Sequence, residues 1–115
     1  MARFRLAQPA QNDLANILAT SAERWGTEGR RRYASLLAAA MRVVAANPEG
    51  PLTQARNELS PGLRSLHLRH AHVTGPQVKK PVHILYYRAI QPGLIGIVRV
   101  LHERMEPSRH FGDQT

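Results

Sequence analysis

The sequence has no cysteine, few aromatic residues and no long apolar run. Without cysteine, the chain forms neither a disulfide framework nor a thiolate zinc site. Aromatic residues make up 5% of the chain, which argues against a base-stacking surface for single-stranded nucleic acid. No apolar stretch approaches the ~18 residues that a membrane span needs, and the N-terminus lacks the apolar core of a signal peptide. We therefore expect a soluble, cytoplasmic protein that does not insert into a membrane.

Acidic residues are scarce in the second half of the chain. After residue 60 the only carboxylate side chains are Glu103, Glu106 and Asp113, which disfavours a hydrolase built on paired carboxylates. The sequence also contains no phosphate-binding glycine loop and no GxSxG motif. His70 and His72 stand two residues apart, but no nearby carboxylate or thiolate completes a metal ligand set. The sequence therefore predicts neither a metal site nor a cofactor.

Positive charge is what the chain has in excess. Among its 115 residues, 16 Lys and Arg stand against 8 Asp and Glu, a formal net charge of +8. All the basic residues are Arg except Lys79 and Lys80. The surplus is larger in residues 61–115 than in residues 1–60, and all six histidines lie in that second part. Such a domain associates with an anionic partner: nucleic acid first, then an acidic protein, then a membrane surface.

The first half of the chain reads as one strand and two helices. Residues 1–7 alternate apolar side chains with Arg, which predicts a half-buried strand at a sheet edge. An amphipathic helix follows, with an apolar stripe that includes Trp25, and Gly26 ends it as a C-cap would. A second helix begins at Thr27 and is closed by Asn47-Pro48. The short hinge predicts an antiparallel helical hairpin.

The second half reads as three strands. A Pro- and Gly-containing loop over 48–62 precedes an alternating strand over 63–68. After a polar loop over 69–81, residues 82–89 are apolar on both faces, as in a central strand, and residues 94–101 form the last strand. We therefore predict one α+β domain over residues 1–115, with the hairpin packed on a small, mainly antiparallel sheet of three to four strands.

Arginines on the predicted strands suggest a basic surface. A buried Arg is costly unless it is paired, so we expect Arg64, Arg69, Arg88 and Arg99 on the open sheet face or its rim. Three uses remain open: clamping RNA phosphates with His110 as general acid and base, binding an acidic protein segment, or simple surface pairs of Arg99 with Glu103 or Glu106. The other side chains expected along this basic groove are His67, His102, Arg104, Arg109 and His110.

Six short patterns follow one another in an order shared with a known family. Over nearly its whole length the chain resembles the ParE-type toxins of the RelE/ParE superfamily. The patterns are Pro9-Ala10-x-x-Asp13-Leu14-x-x-Ile17, Glu23-Arg24-Trp25-Gly26, Asn47-Pro48, Glu58-Leu59-x-Pro61-Gly62-Leu63-Arg64-Ser65, Tyr86-Tyr87-Arg88 and Ile97-Val98-Arg99-Val100-Leu101-His102-x-Arg104-Met105.

The resemblance implies the toxin of a type II toxin–antitoxin system, with a helical hairpin on a twisted antiparallel sheet. In the ParE branch the toxin inhibits DNA gyrase. It is neutralised by a cognate, ParD-like antitoxin, whose ribbon–helix–helix part binds DNA and whose acidic C-terminal segment folds along the toxin. The toxin would then reach DNA only through the antitoxin complex. In the RelE branch the toxin cleaves mRNA at the ribosome.

The residues favour the ParE branch. Arg104 and His110 stand where the nuclease branch has an Arg and a Tyr or His acid–base group. However, Ile84 stands where that branch places a further Arg, and Leu66-His67-Leu68 replaces its Lys-rich strand. An incomplete set of cations loses most of the transition-state stabilisation. We therefore expect inhibition by binding, with the ribosome-dependent mRNA endonuclease, using Arg104 and His110, as the alternative.

The resemblance and the charge pattern lead to two sets of expected contact residues. For the apolar members of the second set, a place in the protein core is the competing interpretation. The expected target-binding residues are Arg88, Arg99, Arg104, Arg109 and His110. The expected antitoxin-binding residues are Leu14, Leu18, Tyr33, Leu37 and Arg64.

Overall fold

A computed structural model of the chain describes residues 3–75 and 77–111. Its sheet has the strand order β1-β5-β4-β3-β2, with β1 parallel to β5 and the other neighbours antiparallel. The predicted α+β class, the edge position of the first strand and the central position of β4 are confirmed. The elements are β1 (Arg3–Leu6), α1 (Gln8–Ala46), β2 (Gln54–Ala55), β3 (Arg64–His67), a 3-10 turn (Leu68–His70), β4 (His83–Gln91), β5 (Leu94–His102) and α2 (Ser108–Phe111).

Three short elements were not predicted: β2, the 3-10 turn and α2. β2 lies within the segment expected to be a loop, where only two residues pair with β3, so the sheet has five strands instead of three to four. Such a short run carries no periodicity by which sequence alone could identify it. The same holds for the single turn of α2. Within the described ranges, each helix falls short of the length and apolarity that crossing a membrane requires.

α1 is interrupted at Gly26 and folds back on itself. Gly26 has φ 74° and ψ −172°, a conformation essentially restricted to glycine. A straight helix of this length would extend about 58 Å, whereas the longest dimension of the molecule is 39 Å. A Cβ on Gly29 would lie 2.3 Å from the Cβ of Trp25 and 3.9 Å from the carbonyl oxygen of Ser21, so only glycine fits this close approach. The predicted helical hairpin is confirmed.

A main core fills the space between the helical hairpin and one face of the sheet. The second half of α1 supplies most of its helical side chains, and the strands supply alternate residues. Leu14, Ile17 and Leu18 from the first half of α1 pack against this core and stay partly exposed. Its most buried members include Leu36, Leu37, Ala40, Val44, Leu66, Leu85, Tyr87, Ile97 and Val100.

A bulge in β5 distributes its side chains between the two faces. The ladder passes from Tyr87 opposite Ile97 to Tyr86 opposite Arg99, which leaves Val98 as the extra residue. Ile97 and Val100, three positions apart, therefore both reach the main core. Val98 and Leu101, also three positions apart, both lie in the second cluster on the opposite face.

That second cluster corrects the prediction of an open basic sheet face. Leu63, Tyr86, Leu101 and Phe111 form a small second core, with Leu59, Ile84 and Val98 packed against it. The rings of Tyr86 and Phe111 lie 5.1 Å apart between centroids. Because β4 is apolar on both faces, the side away from the hairpin must also be covered, and α2 and the segment before β3 cover it. The strand arginines therefore have no open face to share.

Candidate binding groove

A groove of about 900 Å³ opens between the tip of the helical hairpin, the segment 77–83 and the residues that follow β5. Its apolar wall comes from all three parts of the chain. The close approach at Gly29 brings the two halves of α1 together here, while the 77–83 segment lies across them. The apolar lining residues are Ile17, Trp25, Val78, Val82 and Met105.

Two large apolar side chains are exposed in this groove. Trp25 is 64% exposed and Met105 is 48% exposed, and they come from the hairpin tip and from the turn after β5. The expected place of Trp25 in a buried helical stripe is wrong, because the chain reverses at the next residue and turns the indole away from the core. Large apolar side chains that converge in one concave site indicate an interaction surface.

Cations line the same groove. Arg24, Arg32, Lys79 and Lys80 are exposed lining residues. Among the lining residues in residues 3–75 and 77–111 there is no Asp or Glu. The sequence placed the binding charge in the second half of the chain, but the fold combines cations from both halves. The groove therefore joins an apolar wall to four exposed cations.

The groove also contains a hydrogen-bonded pair of neutral side chains. The hydroxyl of Tyr33 accepts from the Val82 N–H at 3.2 Å and lies 2.5 Å from Nδ1 of His83. The hydroxyl hydrogen is thus available to Nδ1, which assigns the imidazole hydrogen of His83 to Nε2. Burial lowers the pKa of His83 to about 4, with a further contribution from His102, whose ring meets it edge-on at 5.4 Å. The His83 imidazole therefore adds no positive charge to the groove near neutral pH.

Arg99, expected on the open face, is bound to the helical hairpin. Its Nε and Nη2 donate to the two carboxylate oxygens of Asp13 at 2.8 and 2.9 Å. Asp13 also accepts from the backbone N–H of Val100 at 2.9 Å, which lies beyond the end of the neighbouring strand β1. The hydrogen bond with Asp13 raises the pKa of Arg99 above its usual value. The alternative pairing of Arg99 with Glu103 or Glu106 is therefore wrong.

Two further strand arginines secure loops. Arg88 donates to the Ser60 hydroxyl at 2.9 Å and to the Pro61 carbonyl at 3.2 Å. Arg64 donates to the Pro48 carbonyl at 3.0 Å and to the Thr53 hydroxyl at 2.8 Å. These contacts hold the segments before and after β2 against the sheet. Three of the four arginines expected on an open sheet face are therefore engaged within the protein.

The remaining candidates differ in accessibility. Arg69, Arg104 and Arg109 are exposed, whereas His110 is half-buried with its Nδ1 3.4 Å from Nη1 of Arg99. His67 lies 2.7 Å from Glu103, and this hydrogen bond lowers the pKa of the Glu103 carboxyl.

The expected antitoxin contacts lie mainly within the protein. Tyr33 and Leu37 are 6% and 2% exposed and belong to the main core. Leu14 and Leu18 pack against that core but stay half-exposed. Helical spacing alone did not separate these core residues from an exposed apolar contact such as Trp25. The position of Trp25 directly before Gly26, where the helix breaks, was the signal that could have identified it as exposed.

Residues 4–107 match the family model described as the ParE toxin of type II toxin–antitoxin system, parDE. The chain belongs to the ParE toxin family. Toxin ParE1 from Mycobacterium tuberculosis is 33% identical over 109 residues, which cover 95% of this chain and 97% of that protein. Toxin ParE1 from Caulobacter vibrioides is 30% identical over 113 residues, which cover 97% of this chain and 100% of that protein.

A solved structure supports the fold of this ParE family member. A chain of the chromosomal ParDE TA system from P. aeruginosa superposes with a TM-score of 0.63. The match covers 89% of this chain and 95% of that chain at 16% sequence identity. The arrangement of hairpin and sheet is thus shared at low sequence similarity.

Proposed function

We propose that this chain arrests growth by binding DNA gyrase without catalysis, and that a cognate antitoxin neutralises it. Family membership supports the toxin assignment. The observation that favours binding over catalysis is the internal use of the strand arginines: Arg99 is held by Asp13, and Arg88 is held by Ser60 and Pro61. A nuclease needs cations directed at the charge that develops on the phosphate, whereas these guanidinium groups hold the protein together.

The target contact that we propose lies at the C-terminal end of the described chain. Arg104 follows β5 and Arg109 lies in α2, and both are exposed. His110, also in α2, has its Nδ1 3.4 Å from Nη1 of Arg99. Exposed cations of this kind accelerate association with an anionic surface such as that of a DNA-bound enzyme. Arg88 and Arg99 would then act by holding this end of the sheet in shape.

The antitoxin in this proposal is a ParD-like protein with a ribbon–helix–helix part and an acidic C-terminal segment. The net charge of +8 favours such an acidic partner, because opposite charge increases both the association rate and specificity. DNA would be contacted by the antitoxin part of the complex. The toxin would be released when the antitoxin is lost.

The test combines growth with two biochemical readouts. The chain is expressed alone from an inducible promoter, and the purified protein is added to gyrase and relaxed plasmid. We expect growth arrest, inhibited supercoiling and intact mRNA. The Arg104→Ala/Arg109→Ala double variant should need about tenfold more protein for the same inhibition. Arg31→Ala, at an exposed position of the hairpin paired with Glu28, is the matched control and should behave as wild type.

Two results would contradict the proposal. Normal growth with the chain expressed alone would argue against a toxin of either branch. Cleaved mRNA during translation, lost in His110→Ala, would replace the gyrase assignment with the ribosome-dependent endonuclease.

A further inference from the structure

We propose that the groove at the tip of the helical hairpin binds a nucleoside triphosphate, with the base stacked on Trp25 and the phosphates held by Lys79 and Lys80. The lining residues of the groove include neither Arg104 nor Arg109, so this site is distinct from the proposed target contact. Three features of the groove support it: an exposed aromatic face, a cluster of cations and two histidine nitrogens that can donate hydrogen bonds.

Trp25 offers a flat apolar face to a base. It is 64% exposed and shares the groove with Met105, which is 48% exposed and whose flexible thioether packs well against aromatic rings. Every nucleobase has a π face that stacks on such a side chain. Tyr33, which also lines the groove, is buried. The groove therefore suits one stacked base, and this favours a single nucleotide over a longer strand.

Four exposed cations surround this apolar face. They are Arg24, Arg32, Lys79 and Lys80. In the described part of the chain, none of the four forms an ion pair, and no lining residue is Asp or Glu. Lys and Arg side chains bind phosphate oxygens through charge-assisted hydrogen bonds. Because the sequence has no phosphate-binding glycine loop, these side chains would hold the phosphates themselves.

Two histidines that line the groove each keep one ring nitrogen for a ligand. Nδ1 of His83 accepts from the Tyr33 hydroxyl. Nδ1 of His102 accepts from the backbone N–H of Arg104 at 3.1 Å. The ring hydrogen of each is therefore on Nε2. Since no side-chain nitrogen of the described residues is both buried and without a partner, these N–H groups are available to the ring nitrogens and carbonyl oxygens of a base.

The size of the groove agrees with a ligand of this class. Its volume of about 900 Å³ lies within the ~300–1,000 Å³ of small-molecule sites, which combine an apolar lining with a few converging polar groups. A nucleoside lacks the charge to use the cations, and an inorganic polyphosphate lacks the ring to use Trp25. A nucleotide uses both parts of the groove at once.

The first test compares ligands on the purified wild-type chain by isothermal titration calorimetry. ATP, GTP, CTP and UTP are each titrated, together with the matching nucleosides and sodium tripolyphosphate. We expect at least one nucleotide to bind about tenfold more tightly than its own nucleoside and than tripolyphosphate, because stacking and charge act together. If no nucleotide binds, or if tripolyphosphate binds as tightly as every nucleotide, the proposal is overturned.

The second test assigns the two parts of the ligand to residues. Trp25→Ala should bind the nucleotide about tenfold more weakly and tripolyphosphate as the wild type does. Lys79→Glu/Lys80→Glu should weaken both ligands by about tenfold or more. The control is Arg3→Glu/Arg5→Glu, which makes the same change in net charge at exposed positions of β1 and should bind both as the wild type does.

Circular dichroism shows whether each variant is folded, and the fluorescence of the wild type supplies a measurement that needs no variant. Trp25 is the only tryptophan of the chain, so a stacked base should quench its emission, whereas tripolyphosphate should not. Nucleotide binding without quenching overturns the placement of the base. A single-stranded oligonucleotide that binds about tenfold more tightly than any nucleotide would replace the proposed ligand with nucleic acid. None of these readouts involves gyrase or growth, so their failure leaves the proposed function untouched.

Discussion

Asp13 and Arg99 form an ion pair that joins the helical hairpin to the sheet. Among the ion pairs of the described residues, we expect the loss of this one to lower stability most. Asp13 accepts two hydrogen bonds from the Arg99 guanidinium and one from the Val100 backbone N–H. It thereby ties the first half of the helical hairpin to β5, 86 positions away in sequence. Asp13→Ala would leave all three donors without this acceptor.

The expected cost follows from the exposure of the pair. The side chains of Arg99 and Asp13 are 22% and 14% exposed, so the pair is intermediate between an exposed and a buried ion pair. An exposed pair contributes at most about 1 kcal/mol, whereas disrupting a buried pair costs about 3–5 kcal/mol. Partial rehydration of Arg99 reduces the penalty, while the unpaired Val100 N–H adds to it. We therefore expect Asp13→Ala to lower the free energy of unfolding by about 3 kcal/mol. Asp13→Asn should cost nearly as much, because its amide NH2 would turn a donor toward one of the Arg99 donors and the charge of the pair would be lost.

Urea denaturation followed by circular dichroism measures this change in the free energy of unfolding. In a separate thermal melt, the midpoint temperature of Asp13→Ala should fall by about 12 °C, at about 4 °C per kcal/mol for a domain of this size. Glu28→Gln is the matched control, because it disrupts the pair with Arg31 at 3.0 Å, where the side chains are 55% and 70% exposed. Its expected cost is below about 0.5 kcal/mol. Asp13→Ala within that same range would refute the reasoning from burial and hydrogen bonding.

Three further predictions concern the hairpin turn, the groove and the second core. Gly26→Ala should lower the free energy of unfolding, measured in urea, by about 1–2 kcal/mol. The cause is backbone strain alone, since no atom lies within 4 Å of the added Cβ. If Gly26→Ala cost no more than Glu23→Ala, a change at an exposed helical position, this explanation would be contradicted. Because the folded pKa of His83 is about 4 and its ordinary value is 6.5, the unfolded chain takes up this proton first. Stability should therefore fall by about 1–2 kcal/mol, allowing for partial exposure, as the pH drops from 6.5 to 4; an unchanged profile in His83→Asn would contradict that assignment. Phe111→Ala should lower the free energy of unfolding by about 2–3 kcal/mol, because it removes an apolar side chain from the second core. It should also speed tryptic cleavage after Arg109 by releasing α2. Cleavage at the wild-type rate would show that α2 needs no apolar anchor.

The sequence carried the signals for the elements because those signals are local. Alternation in β1, helical spacing in α1 and the glycine at position 26 each concern neighbouring residues, and all three predictions agree with the structure. The central place of β4 was also readable, since its apolar residues occupy both faces. Apolar residues on both faces of β4 also imply that the second face of the sheet is covered. The prediction of an open basic face was inconsistent with that pattern.

Side-chain partners were less predictable because they depend on contacts between distant positions. Asp13 stands near the start of α1, where a favourable interaction with the helix dipole is the ordinary reason for an acid. Its actual partner, Arg99, depends on the bulge at Val98, which changes the direction of the side chains that follow. Nothing in the local pattern of β5 specifies that bulge.

The sequence by itself determined the order of the elements, the α+β class, the hairpin break and the positive charge, because each follows from local backbone preferences or simple composition. Only the tertiary structure decided which charges are available to a partner. Arg64, Arg88 and Arg99 are used within the protein, whereas Trp25 and Lys79 line the same exposed groove. The physical reason is that pairing and exposure depend on which distant residues approach each other, and that is fixed by packing on two faces of one sheet.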